Sequence, residues 1–403
     1  MKAIIQPGTA RGTVAAPPSK SMAHRLLICA GLTAGETLVS GIDPSEDILA
    51  TSDCLRALGA EIRCGETGVL VRGFDPRRAP AAVLRCRESG STLRFMIPLC
   101  LLSGAPMRLM GSPVLLSRPL SVYETICRQQ GLLLERSESG LLVQGILSPG
   151  YYEVPGDVSS QFISGLLFAL PLLPGDSRIR LIPPVESRSY LDLTLQALRD
   201  AGVSPRWEDG CTLFVPGGSV FHARNGAVEG DHSNAAFFSA LNCLGGNVEV
   251  IGLRADSLQG DRVCESYFAR LREGTPELDL SDCPDLAPVL FTVAALCRGA
   301  VFTGTRRLRF KESDRGAVMA EELKKCGIML KLEEDRITVP AGNVFPPRVP
   351  FSSHNDHRIA MALSLLCTRT GGEITGAEAV RKSFPDYWER LRSLGISVTL
   401  AEA

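Results

Sequence analysis

The chain has 403 residues, 45% of them apolar and 22% charged, and a formal net charge of −1. That length is too great for one ordinary hydrophobic core and predicts two domains, while the balanced charge leaves no global basic field for nucleic acid or an acidic membrane. Thirteen cysteines without a C-x-x-C pair fit reduced, mostly buried thiols of a cytoplasmic protein, not a disulfide framework or a zinc site.

In chain order, the opening Met1-Lys2-Ala3-Ile4-Ile5-Gln6-Pro7-Gly8 lacks the apolar core of a signal peptide. Pro17-Pro18 ends an extended segment, and Ser19 is placed to cap a helix presenting Lys20, Ser21 and Arg25 in its first turns. Cations there oppose the helix dipole unless an anion sits beside them, the alternative being an ordinary surface helix. Arg87-Glu88-Ser89-Gly90-Ser91-Thr92-Leu93-Arg94 surrounds Gly90 with hydroxyls and N–H groups suited to a phosphate. Neither G-x-x-x-x-G-K-[ST] nor G-x-G-x-x-G occurs, which argues against an NTPase or a nicotinamide enzyme. Asp157-Val158-Ser159-Ser160-Gln161-Phe162 and Asp231-His232-Ser233-Asn234-Ala235-Ala236-Phe237 are matching helix starts, which capping alone would also explain. The longest apolar stretch, Phe162 to Leu173, is too short to span a bilayer.

Lys311-Glu312-Ser313-Asp314-Arg315 sets a carboxylate between two cations where a loop enters a predicted helix ending at Cys326-Gly327. Glu312 is placed there to move a proton, Ser313 and Asp314 to cap the helix, and a solvated ion pair is the competing reading. His354-Asn355-Asp356-His357-Arg358 invites a metal, but no third Cys or His lies near in sequence, so none is expected and Arg358 fits an anion better. Arg381-Lys382-Ser383-Phe384-Pro385 places cations ahead of a Pro-started helix. With no G-x-S-x-G elbow and no recognised nucleophile motif, what remains is cations, hydroxyls and a few carboxylates. That inventory suits phosphorylated small molecules, on which positioning and electrostatic stabilisation dominate.

One pattern recurs: an amphipathic helix ends in Gly and a strand-like run follows, at Gly59, Gly131, Gly202, Gly274, Gly327 and Gly395. The first four lie 72, 71 and 72 residues apart, and gaps of 53 and 68 follow. Six copies of an α/β unit, three per domain, are predicted, with a hairpin missing after Gly274 and a domain crossing near Val228-Glu229-Gly230-Asp231.

From Pro17-Pro18-Ser19-Lys20-Ser21 to Lys382-Ser383-Phe384-Pro385-Asp386 these residues resemble the 5-enolpyruvylshikimate 3-phosphate synthase family of the shikimate pathway. The most specific marks are Ser19-Lys20-Ser21 with Arg25, Lys311-Glu312-Ser313-Asp314-Arg315, and Asn355-Asp356-His357-Arg358. The resemblance implies a two-domain inside-out α/β barrel of six β-α-β-α-β-β repeats, three per domain, here with the fourth trimmed. One domain would hold residues 1–15 plus 229–403 and the other residues 16–228, with the active site in the cleft between them. The implied reaction moves the enolpyruvyl group of phosphoenolpyruvate onto the 5-hydroxyl of shikimate 3-phosphate by addition and elimination, in a cytoplasmic monomer without metal or organic cofactor. Carried over by position, Lys20, Ser21, Arg25, Ser159, Ser160, Gln161, Ser187, Tyr190, Asp285 and Lys311 would hold shikimate 3-phosphate. Lys20, Gly90, Arg118, Gln161, Arg315, Arg358 and Lys382 would surround phosphoenolpyruvate, with Lys20, Asp285 and Glu312 catalytic. Gly90, kept rather than Ala, implies sensitivity to glyphosate at the phosphoenolpyruvate site.

Four positions depart from the family: Glu88 where Asn is frequent, Phe95 where Pro is, Arg307 where Asn often touches shikimate 3-phosphate, and Gly316 where an apolar residue is usual. Arg307 would either add a cation to the phosphate or point away. The sister family acting on UDP-N-acetylglucosamine usually carries Lys-Asn in place of Lys20-Ser21 and a loop cysteine, which Gly111-Ser112-Pro113-Val114-Leu115-Leu116-Ser117-Arg118 lacks. A catalytically degenerate binding protein is the other alternative, opposed by the joint presence of Lys20, Asp285, Glu312, Arg315, Arg358 and Lys382.

Overall fold

The computed structural model of the chain describes residues 1–137 and 140–402. It divides into two compact units, one formed by Met1–Pro17 with everything from Gly230 onward, the other by Pro18–Glu229. Each buries a hydrophobic core of its own.

The second unit contains three four-stranded sheets of one topology. In the clearest, Ala82–Arg85 and Met107–Met110 run parallel, and the hairpin of Leu133–Ser137 and Gly140–Gln144 pairs antiparallel on the far side. Tyr151–Pro155, Ser177–Ile182, Arg206–Trp207 and Thr212–Val215 repeat this pattern. In the remaining sheet the short Gly226–Ala227 strand, from the end of the unit, lies parallel to Glu36–Ser40. The first unit builds the same sheet from Glu277–Asp279, Ala300–Thr303, Lys331–Leu332 and Arg336–Val339. Its last sheet is completed by the N-terminal strand Lys2–Ile5, which lies antiparallel between Gly372–Thr375 and Val398–Ala401.

One sheet has only two strands, Arg11–Ala15 and Asn247–Ile251. This is the predicted trimmed repeat, and it changes the helix end before it. Gly59, Gly131, Gly202, Gly327 and Gly395 take positive φ, from +67° to +123°. Gly274 instead is extended at φ −167°, because no hairpin follows and the chain passes directly through Pro276 into the next repeat's first strand. The missing hairpin would leave the Asn247–Ile251 edge unpaired. Asn242 fills part of that gap: its Nδ2 donates to the Val248 carbonyl at 2.9 Å and its Oδ1 accepts from the Val248 N–H at 2.7 Å.

The helices joining the parallel strands are apolar all round, so they can only be interior. Every residue of Gly90–Cys100 is buried except Ser91, and every residue of Ser160–Ala169 except Gln161. In the first unit Ala287–Leu296 and His357–Thr370 are buried along nearly their whole length. The sheets lie outside them with one face solvated, as the alternating Tyr151–Pro155 strand shows. All thirteen cysteines are free thiols and nine are buried. Among the described residues no helix is long and apolar enough to cross a membrane.

Asn242→Ala removes both bonds to Val248 and re-exposes the strand edge. The expected result is a loss of about 1–3 kcal/mol in denaturant unfolding and concentration-dependent self-association by light scattering.

Candidate active site

A helix buried along its body still offers the solvent its first turn, where backbone N–H groups have no helical partner. Capping side chains fix these starts: Ser19 accepts from Met22 N–H, Ser89 from Thr92 N–H, Ser159 from Gln161 N–H, Asp231 from Asn234 N–H and Asp356 from Arg358 N–H. Among the described residues the non-glycine positions with positive φ are Arg87, Ser187, His354 and Asn355, each one to three residues before such a start. Backbone strain of this kind gathers where function fixes geometry.

In the second unit, Lys20 Nζ donates to Asp47 Oδ2 at 2.8 Å. Arg25, 3% exposed, donates to Thr194 Oγ1 at 2.8 Å, to the Ser21 carbonyl at 2.6 Å and to the Tyr190 carbonyl at 2.9 Å. No carboxylate among the described residues pairs with it, and burial pulls its pKa down to about 10. A cation held this way lacks an anion. A Cβ on Gly90 would lie 2.6 Å from an Arg118 guanidinium nitrogen, so the absence of a side chain lets Arg118 rest on the helix start. Arg118 Nε is buried without a hydrogen-bond partner among the described residues. Arg94 donates to Gln161 Oε1 at 2.6 Å, and Gln161 Nε2 donates to Ser91 Oγ at 2.8 Å, tying two helix starts together. Arg94 and Arg118 both lie at the Gly90 helix start, and Arg25 is held without a carboxylate among the described residues, so this unit keeps positive charge at its helix starts that favours an anionic ligand. Ser160 sits on the first turn beside its cap Ser159, and Ser187 and Tyr190 stand at the start of the helix that receives Arg25.

In the first unit the cluster centres on Asp285, on the short turn Pro284–Leu286 leading into a buried helix. Its Oδ1 accepts from Lys311 Nζ at 2.9 Å and from Arg315 at 2.8 Å, and its Oδ2 from Arg358 at 3.2 Å. Burial alone would raise its pKa, but Arg358, Lys311 and Arg315 hold it well below the usual carboxylate range. Arg315 is 1% exposed and also reaches Glu312 at 2.7 Å and Asp356 at 2.9 Å. Burial works against its charge, and Asp356, Glu312 and Asp285 outweigh burial, so its pKa is raised. Lys311 has its pKa lowered, first by burial and then by Arg315 and Arg307, against the pull of Asp285. Arg358 donates to Ser233 Oγ at 2.5 Å, and Lys382 Nζ to the Asn355 carbonyl at 2.6 Å.

The departures have structural roles. Phe95 packs in the core with the Arg25 guanidinium 5.6 Å from its ring centre. A Cβ on Gly316 would come 3.0 Å from the Ile337 Cδ1 methyl, so the Ile337 side chain would have to shift to admit one. Arg307 does not point to solvent: it is 5% exposed and donates to the Ser281 carbonyl at 3.1 Å. Glu88 is half-buried immediately before the cap Ser89. His354 joins Glu321 and Glu322 in a group of metal-ligand type. Glu322, fully buried, already accepts from Lys325 Nζ at 2.8 Å, Ser352 N–H at 3.0 Å and His354 Nε2 at 2.8 Å, so an ammonium supplies the positive charge there.

Sequence reasoning passed over four residues: Asp47, Arg94, Ser233 and Asp356. Arg94 was within reach, lying four residues after Gly90 and so on the same helix face. Asp356 stands within a mark of the resemblance but has no role of its own there, although it caps one helix and anchors Arg315. Nothing in sequence joins Asp47 to Lys20.

His24 yields a pH dependence. It is 1% exposed and contacts Thr51 Oγ1 at 2.7 Å, while burial, then Lys20 and Arg25, pull its pKa well below 6.5. The unfolded chain binds a proton there that the folded chain refuses, so stability falls as pH drops below about 6.5. Thermal unfolding between about pH 7 and pH 5 should show a smaller acid-side fall in Tm for His24→Gln than for the wild type.

Comparison with known proteins identifies the family. The family model for EPSP synthase (3-phosphoshikimate 1-carboxyvinyltransferase) matches residues 4–391. A 3-phosphoshikimate 1-carboxyvinyltransferase from Clostridium perfringens is 38% identical over 423 residues, covering 98% of each chain. One from Clostridium kluyveri is 38% identical over 97% of this chain and 96% of its own. A solved EPSP synthase from Acinetobacter baumannii superposes with a TM-score of 0.78 at 25% identity, over 99% of this chain and all of its own. The chain belongs to the EPSP synthase family.

Proposed function

We propose that the protein transfers the enolpyruvyl group of phosphoenolpyruvate to the 5-hydroxyl of shikimate 3-phosphate and releases phosphate, as a monomer in the cytoplasm using only its own side chains. The observation that carries this reading is Asp285 held by Lys311, Arg315 and Arg358, with Glu312 on the same Arg315. Such a cluster supports both anion binding and proton traffic.

Lys20, Ser21, Arg25, Ser159, Ser160, Gln161, Ser187, Tyr190 and Lys311 hold shikimate 3-phosphate. Lys20, Gly90, Arg118, Gln161, Arg315, Arg358 and Lys382 hold phosphoenolpyruvate. In the addition the 5-hydroxyl proton passes to Asp285, the freed oxygen bonds to C2 of phosphoenolpyruvate, and Glu312 gives a proton to the C3 methylene. In the elimination Glu312 takes a proton back from that carbon, the C2–O bond to phosphate breaks, and Asp285 returns its proton to the departing phosphate. Lys20 stabilises the charge that develops between these steps. The low basicity of Asp285 in the free protein has a counterpart here. Once substrate phosphates and carboxylates draw Lys311, Arg315 and Arg358 towards themselves, the grip on Asp285 loosens as the hydroxyl arrives.

Two measurements test this. Wild type should release phosphate from the two substrates together, and Glu312→Ala should cut kcat by roughly 10²–10⁴ with smaller changes in KM. Turnover with UDP-N-acetylglucosamine in place of shikimate 3-phosphate would overturn the assignment. Glyphosate should compete with phosphoenolpyruvate. Because a Cβ at Gly90 would displace Arg118, Gly90→Ala should raise both the KM for phosphoenolpyruvate and the glyphosate concentration needed for half-inhibition, by about tenfold or more for the inhibitor.

A further inference from the structure

We propose that Asn234 is a positioning residue for phosphoenolpyruvate, fixing Lys382 through Ser383 while its neighbour Ser233 fixes Arg358; the inference rests on the assignment of those two cations to that substrate. Asn234 is fully buried at the start of the His232–Ser239 helix, with its backbone N–H on Asp231 Oδ1 at 2.9 Å. Its Nδ2 donates to Ser383 Oγ at 3.0 Å, and Ser383 is 5% exposed. Its Oδ1 is buried with no hydrogen-bond partner among the described residues. An acceptor left that way is a cost to folding that an alanine would not carry. A buried polar group kept under such a cost calls for a reason other than stability.

The geometry supplies one. Ser383 follows Lys382 directly and ends the Ala377–Lys382 turn, with its N–H on the Val380 carbonyl at 3.1 Å. Phe238, one helical turn beyond Asn234, packs against Phe384 and Tyr387 with ring centres 5.7 Å apart in each case. Apolar contacts of this kind set how deeply the 383–387 segment seats, but they carry no directional constraint. The Asn234–Ser383 bond is directional, and it fixes the orientation of the peptide from which Lys382 extends. Lys382 then meets the Asn355 carbonyl, three residues before Arg358, while Ser233 holds Arg358 itself. One helix start, Asp231 to Asn234, thereby sets two cations carried by two other segments of the same unit.

The test uses the full-length protein and steady-state kinetics with both substrates, alongside thermal unfolding. Asn234→Ala and Ser383→Ala should each raise the KM for phosphoenolpyruvate by roughly tenfold, the scale of one charge-positioning hydrogen bond. The KM for shikimate 3-phosphate and kcat should change by less than about twofold, Tm of Asn234→Ala should hold or rise, and Ser383→Thr should retain wild-type KM. The double variant should be no worse than either single one, since both remove the same bond. An unchanged KM for phosphoenolpyruvate in folded Asn234→Ala, an equal rise in both KM values, or additive single effects would overturn the inference. Lys382→Ala separates the two levels: if it also leaves the KM for phosphoenolpyruvate unchanged, the assignment of Lys382 fails. If it raises that KM while Asn234→Ala does not, only the positioning role fails.

Discussion

The first unit is organised around a guanidinium taken out of water. Arg315 is 1% exposed and bonds to Asp285, Glu312 and Asp356, which come from three separate segments. Burying such a charge is costly unless its donors are all engaged, and losing one carboxylate would leave a buried guanidinium nitrogen without its partner and the cluster one negative charge short. Asp356 is also the cap of the helix that carries Arg358, so one side chain fixes a helix start, a buried cation and the cation beside it. The position of Asp285 follows from the same bonds. The pairing therefore contributes geometry more than stability.

The second unit solves the opposite problem. Arg25 is buried with backbone carbonyls and a hydroxyl as partners, and Arg118 keeps a buried nitrogen with none among the described residues. Cations in that state lower their energy when an anion arrives. One cluster has its cations paired with carboxylates of its own, whereas the other keeps positive charge without an internal partner among the described residues. The difference tracks the residues that the repeated architecture places at equivalent helix starts: Ser19, Ser89 and Ser159 in one unit, Asp231 and Asp356 in the other.

That architecture also explains why the trimmed repeat leaves the candidate site intact. In each complete sheet the hairpin lies on the far side of the parallel pair, away from the strand that starts the repeat. Removing it opens a sheet edge, which Asn242 partly covers, without disturbing the helix start at Asp231. The candidate site lies at the first turns of interior helices, and those are set by the β-α-β part of each repeat.

Much of this was legible in the chain itself. Glycine spacing exposed the repeats and the missing hairpin, because a helix that must turn back needs a left-handed residue and glycine takes that conformation without strain. The Lys311–Arg315 run, Gly90, and the Ser19 and Ser159 caps were visible because local chemistry fixes local structure. What sequence left open were the partnerships: Asp47 with Lys20, Arg94 with Gln161, Asp356 with Arg315, Asn234 with Ser383 and the inward aim of Arg307. Each joins segments 27 to 149 residues apart or turns on which way a long side chain points. Residue spacing along a helix or strand determines a face, but packing between distant segments decides which faces meet, and only the tertiary structure supplies that.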